Sequence, residues 1–318
     1  MSEESSARPG AVQAGSARAP RTRQAAWAWA EARLRAAGVA PAEVRLEAEV
    51  LLRHAARLSR EELFARPDGA LRPQCARAYA ALIDRRAAGC PTAYLVGHRE
   101  FFGIDLLVDE RVLIPRPETE RLVEVARDAL RGRAAPLAVD IGTGSGAIAI
   151  ALAQGLPTLR VIATDVSPGA LAVARRNAAR AGTGDRIVWA AGAGTAPLQG
   201  RVPPGTVDAI VSNPPYIPTA QVAGLPVEIR AHEPMAALDG GPDGLVVHRQ
   251  IVVGSLRYLR AGGVLALEVA AVDDQARAVA ALIVEAGGYT APTIVRDYAG
   301  ADRVVLAERG REHANSGR

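Results

Sequence analysis

Lysine is absent from this 318-residue sequence, so all 38 basic residues are arginine. Alanine and glycine are abundant as well, and we read the pattern as coding bias rather than chemistry. With no lysine to follow a glycine-rich turn, a P-loop is excluded. The 34 acidic residues leave a formal net charge of only +4. Several arginines also fall near the ends of the chain, at Arg8, Arg18, Arg21, Arg23, Arg309, Arg311 and Arg318. Aromatics are scarce at 4%, and they do not interleave with a dense basic patch of the kind that grips a nucleic-acid backbone. Two cysteines, Cys75 and Cys90, can build neither a disulfide framework nor a zinc site. We expect free thiols in a reducing compartment and no metal. No apolar run approaches the ~18 residues of a membrane span, and the N-terminal stretch lacks the apolar core of a signal peptide. The expectation is a soluble, cytoplasmic protein with no membrane contact.

The hydrophobic content, 49%, supports a sizeable core, and the length suits two domains. Residues 1–22, rich in Ser, Ala, Gly, Pro and Arg without periodicity, are expected to form a disordered leader, with a disordered tail at 310–318. Residues 23–90 read as a helical bundle. Trp27, Ala30, Leu34 and Ala37 recur at helical spacing and stop at Gly38. Pro41 opens a second helix carrying Leu46, Val50, Leu51 and Ala55. Ser59 with Glu62 forms a capping box, and a further helix spans about 72–88. Residues 91–116 read as an extended linker with a short hairpin.

From 117 to 309 short apolar strands alternate with helices, which implies βαβ units and a parallel sheet. The expected strands are 137–141, 160–164, 187–191, 207–212, 264–269, 290–295 and 303–307. The last two are close enough in sequence for an antiparallel pairing. Ser167 is the expected N-cap of a helix over 168–181.

Two strings carry chemistry. The first, Asp140-Ile141-Gly142-Thr143-Gly144-Ser145-Gly146, runs from a strand end into a helix. Its glycines permit a tight turn and close approach to a ligand, and the helix start offers unpaired N–H groups. Asp165 ends the next strand, 23 residues after Gly142, where a carboxylate can accept both hydroxyls of a ribose. The glycines fall as G-x-G-x-G, not as the dinucleotide G-x-G-x-x-G. The pattern resembles the S-adenosylmethionine site of class I methyltransferases. That resemblance adds Gly194 and Asn213 to the cofactor residues Gly142, Thr143, Gly144, Ser145, Gly146 and Asp165. It also marks a departure, because Ala193 stands where such proteins usually carry an adenine-reading aspartate.

The second string is Asn213-Pro214-Pro215-Tyr216, at the carboxyl edge of the expected sheet, where ligands bind in such folds. Proline holds the preceding Asn213 extended and leaves Pro214 with only a carbonyl to offer. Asn213 and Pro214 can accept both hydrogens of a substrate NH2, with Pro215 completing the rigid turn and Tyr216 providing a flat wall. We take Asn213, Pro214 and Tyr216 as the catalytic residues. No general base is evident for the proton the nitrogen must lose.

Further strings extend the resemblance over about residues 25–308: Pro91–Gly97, Arg99–Gly103, Leu113–Glu120, Ser212–Ile217, Glu233-Pro234, Ala237-Leu238, Gly240-Gly241, Asp243–Leu245 and Asp302–Val305. With them the sequence resembles the protein-(glutamine-N5) methyltransferases that modify peptide chain release factors (PrmC/HemK type). The resemblance implies a class I S-adenosylmethionine-dependent methyltransferase fold: an α/β, Rossmann-like, mostly parallel sheet with a terminal antiparallel strand, plus a small N-terminal helical bundle that helps recognise the substrate. It implies action on class I release factors, at the glutamine of a Gly-Gly-Gln motif; we expect a monomer that requires no nucleic acid. Arg116, Pro117 and Thr119 lie in a string near the cofactor in this family. Glu268-Val269-Ala270 departs from it, since the family tends to glycine after that strand. Two other functions share parts of the pattern: methylation of a nucleic-acid base amine, and a non-catalytic cofactor-binding module on the translation machinery.

Overall fold

The computed structural model describes residues 20–272 and 274–311; the expected leader up to residue 19 and the tail from 312 lie outside them. The chain divides into two compact units between Leu95 and Val96.

The first unit contains α1 (Arg23–Ala36), α2 (Pro41–Ala56), α3 (Arg60–Ala65) and α4 (Pro73–Ala87), and the short α5 (Thr92–Val96) crosses its end. Thr22 caps α1 through the Ala25 N–H. The Ser59–Glu62 capping box forms as expected, satisfying two backbone donors at the start of α3. The core is Ala26, Ala30, Leu34, Leu51, Leu52, Tyr79 and Ile83, with the Tyr79 hydroxyl donating to the Ala48 carbonyl at 2.9 Å. The apolar stripe of α2 differs from expectation. Val44, Ala48 and Leu51 face inward, whereas Leu46 is 58% exposed. Trp27 is half-buried, edge-on to Phe64 with Arg45 over its ring.

The second unit opens with the expected hairpin, β1 (His98–Phe101) and β2 (Ile104–Leu107). A 3-10 turn, Pro117–Thr119, leads into α6 (Glu120–Leu130). Then follow β3 (Leu137–Ile141), α7 (Ala147–Gly155), β4 (Arg160–Asp165), α8 (Pro168–Arg180), β5 (Ile187–Ala191) and β6 (Val207–Ser212). After β6 come the short α9 (Thr219–Val222) and α10 (Val227–Arg230), then α11 (Val246–Tyr258), β7 (Leu259–Glu268), α12 (Gln275–Ala286), β8 (Thr293–Arg296) and β9 (Asp302–Glu308). Ser167 caps α8 as expected.

The sheet order is β5-β4-β3-β6-β7-β9-β8. β5, β4, β3, β6 and β7 are parallel neighbours, and β9 runs antiparallel to both β7 and β8. Among the described residues, the one antiparallel strand of this sheet is therefore the last in sequence but lies inside the sheet, beside β7. Successive residues of the central strands feed opposite faces. Ala138, Ala209, Val211, Val264 and Ala266 join the core that includes Leu122, Leu130, Ile148 and Leu152 of α6 and α7. Val139, Ile141, Ile210, Leu265 and Leu267 join the core that includes Ile251, Val279 and Ile283 of α11 and α12. Both faces being covered explains why these strands read as continuous apolar runs rather than alternating ones.

Candidate active site

The carboxyl ends of β3, β4 and β6, with the turn after β5, open into one cleft, lined by Gly142, Gly144, Asp165, Ala193, Gly194 and Asn213 among others.

The glycine turn is pinned from below. The N–H groups of Gly142 and Thr143 both donate to the Thr164 carbonyl of β4, at 2.8 and 2.9 Å. Asp140, fully buried, accepts the Thr143 hydroxyl at 2.6 Å and the Ala149 N–H at 3.2 Å. Burial pushes its carboxyl up to about 7, against the pull of those two donors. Gly142 and Gly144 take positive φ, and a Cβ at either would meet nothing within 4 Å. Their bare backbone faces open space, which is what a ligand cradle requires. Gly146 differs. A Cβ there would press on Ile150 and Ala174 at 3.0 and 3.2 Å, so this glycine lets α7 pack against α8. Thr143 and Ser145 are buried beneath the turn.

Asp165 faces the cleft. Its carboxylate accepts the Gly144 N–H at 2.9 Å and the Ser167 N–H at 2.8 Å. Burial raises its pKa while these backbone donors lower it. Each oxygen keeps a further lone pair. Gly194, also at positive φ with open space beside it, lines the cleft with the exposed Ala193.

The Asn213-Pro214-Pro215-Tyr216 string leaves β6 after Ser212, whose hydroxyl donates to the Ile141 carbonyl at 2.6 Å. Asn213, Pro214 and Pro215 line the cleft. The Asn213 Nδ2 donates to Thr119 Oγ1 at 3.1 Å. Tyr216 is not among the lining residues. Its carbonyl accepts from the Gln275 side chain at 2.9 Å, and burial, with the nearby Glu268, lifts its phenol to about 12. Of the expected cofactor residues, then, Gly142, Gly144, Asp165, Gly194 and Asn213 meet at the cleft, and Thr143, Ser145 and Gly146 support it from outside.

Other residues hold this geometry without having been singled out as site residues. Asn177 of α8 is 1% exposed. It accepts the Leu107 N–H at 2.7 Å and donates to the carbonyls of Leu107 and Ser145, both at 2.9 Å, so one side chain joins hairpin, glycine turn and helix. Glu233 pairs with Arg116 and accepts the Ile114 N–H at 3.3 Å, tying together two loops that contribute Leu113, Pro234, Ala236 and Ala237 to the cleft. Its signal in the sequence was only the resemblance string that contains it. Thr119 and Glu268 lay in strings already noted, without a role.

The fold and this cleft define a methyltransferase of class I. Residues 25–97 match the PrmC N-terminal domain family and residues 119–231 the methyltransferase small domain family. A release factor glutamine methyltransferase from Moorella thermoacetica is 48% identical over 88% of this chain and 96% of its own. One from Gloeobacter violaceus is 46% identical over 71% and 78%. Among solved structures, the hMettl16 catalytic domain in complex with MAT2A 3'UTR hairpin 6 shares the fold, with a TM-score of 0.53 and 17% identity over 73% of this chain and 83% of that one. The chain belongs to the release factor glutamine methyltransferase family.

Proposed function

We propose that the chain transfers a methyl group from S-adenosylmethionine to the side-chain amide nitrogen (N5) of the glutamine in the Gly-Gly-Gln motif of peptide chain release factors, in the cytoplasm. The observation that carries this reading is the Asn213 amide on the wall of a cleft whose other walls are the bare glycine turn and Asp165.

The residues present fit the cofactor. Gly142, Gly144 and Gly194 leave open space beside their backbones, and Asp165 keeps lone pairs for ribose hydroxyls. When bound, S-adenosylmethionine supplies an electrophilic methyl on a sulfonium. The protein's task is then the acceptor. An amide nitrogen shares its lone pair with its carbonyl, so it is a poor nucleophile until held and polarised. Asn213 Oδ1 and the Pro214 carbonyl accept its two hydrogens, and Pro215 keeps the turn rigid. Such orientation can supply ~7–11 kcal/mol of a barrier. Tyr216 stiffens the string through its carbonyl bond to Gln275.

A transfer assay with tritiated S-adenosylmethionine tests the proposal. Label is expected on a release-factor fragment containing Gly-Gly-Gln and not on the fragment with glutamine replaced. Label on nucleic acid instead, or cofactor binding without any transfer, would replace it with one of the other two readings. Asn213→Ala is expected to lower transfer by ~10²–10³, the usual cost of a lost fixed dipole, while cofactor affinity measured by calorimetry stays within a few-fold.

A further inference from the structure

S-adenosylmethionine carries an adenine whose edge sets an amine donor beside a ring-nitrogen acceptor, a pattern that a glutamine or asparagine amide matches with two hydrogen bonds. Ala193 can supply neither. The polar side chains that line the cleft narrow the choice. Asp165 has the ribose to hold. Ser167 accepts the Ala170 N–H, Ser212 donates to the Ile141 carbonyl, Arg111 is paired with Asp109, and Asn213 meets Thr119. That leaves Gln250 of α11, which lines the cleft, is exposed, and makes no side-chain hydrogen bond among the described residues.

We propose that Gln250 reads the adenine edge in place of the missing aspartate, its Oε1 accepting from the amine and its Nε2 donating to the ring nitrogen beside it. The inference rests on the S-adenosylmethionine reading given above. Its support is the way α11 meets the turn after β5. That turn is tied to the ribose-binding residue, because the Gly192 N–H donates to the Asp165 carbonyl at 3.0 Å. The base of a nucleoside held at Asp165 therefore comes to this turn. α11 touches the same turn. A Cβ at Gly254 would fall 2.3 Å from Thr195 Oγ1, so only glycine lets the helix come this close. Gln250 and Val247 stand four and seven residues before Gly254, spacings that share one helix face. The face of α11 that meets the turn is thus the face that carries both residues, and both line the cleft. Arg249 is paired instead with Asp243. Val247 supplies apolar surface for the base, and Gln250 the polar groups that fix its orientation, the usual division of labour in a ligand pocket. Ordering a flexible glutamine offsets part of the gain, which holds the expected effect to the worth of one net bond.

The test needs neither a release factor nor turnover. Calorimetry on the full chain compares S-adenosylhomocysteine, the cofactor without its methyl group, with the analogue that lacks the 6-amine of the purine. The wild type should bind the analogue roughly three- to tenfold more weakly, the ratio set by one net hydrogen bond. Gln250→Ala should weaken S-adenosylhomocysteine by a similar factor and should no longer distinguish the two ligands. Gln250→Glu keeps an acceptor at the same reach, so it should still favour the ligand with the amine. The melting temperature without ligand should match the wild type in both variants, since the position is exposed. A merely structural role would shift that temperature and leave the ligand ratio alone. The inference is overturned by a Gln250→Ala variant that retains the wild-type preference for the amine, or by a wild type that binds both ligands equally. A wild type that binds neither would overturn the cofactor reading, and this inference with it.

Discussion

Ala193 occupies the turn after β5 between two glycines, exposed on the wall of the cleft that Asp165 also lines. The small side chain offers nothing to an amine, and the resemblance to class I methyltransferases led us to expect a carboxylate there. Aspartate would have room, because the position is open to solvent. Ala193→Asp is expected to tighten binding of S-adenosylmethionine by about 0.5–1.5 kcal/mol, the net worth of one hydrogen bond. Calorimetry that shows no gain would mean the adenine edge lies against another part of the wall. At this scale the sequence was most readable where a residue's own backbone limits its role. Proline fixed what Pro214 could offer, and glycine spacing marked Gly142 and Gly144 as open backbone. Gly146 was not separable from them by pattern. Its need for a missing Cβ comes from Ala174, a residue of α8 far along the chain. Thr119 escaped assignment for the same reason, since its partner Asn213 is 94 positions away.

Elements were legible where periodicity or capping chemistry was local. The Ser59 box, the Ser167 cap and the alternation of strands with helices all formed as read. Short elements without a cap signal were not. α5 lies inside a stretch expected to be extended, because five residues are too few to show a helical period. Leu46 looked like core by spacing, yet the buried face of α2 is set by what α1 and α4 present to it, and that face runs through Val44, Ala48 and Leu51. The joints between elements were the least visible of all. Asn177 looks like an ordinary polar residue in an arginine- and alanine-rich helix, but its three hydrogen bonds fasten β2 and the glycine turn to α8. Asn177→Leu would strand one N–H and two carbonyls in the interior. It should cost roughly 2–4 kcal/mol by urea unfolding, summing the net worth of those bonds, and it should weaken cofactor binding because Ser145 loses its anchor. A variant with wild-type affinity despite that destabilisation would separate the joint from the site.

At the scale of the whole molecule, buried carboxyls set how stability follows pH. Burial lifts Asp140 and Glu268 to about 7 from ordinary carboxylate values near 4, and Asp165 moves in the same direction. The native state therefore holds these protons more tightly than the unfolded chain. Their stabilising contribution is complete below about pH 4 and is lost as pH rises through about 7, each group adding a slope of up to about 1.4 kcal/mol per pH unit between those limits. Carboxylates held low act in the opposite sense but in a lower window. Asp243, brought to about 2 by Arg249 and the Leu245 N–H, is an example. Between pH 4.5 and 7 the raised group dominates, so melting temperature should decline across that interval. Asp140→Asn keeps an acceptor for the Thr143 hydroxyl and cannot ionise, so its decline should be shallower by about one group's share. Equal slopes in variant and wild type would show that Asp140 is already ionised at pH 4.5.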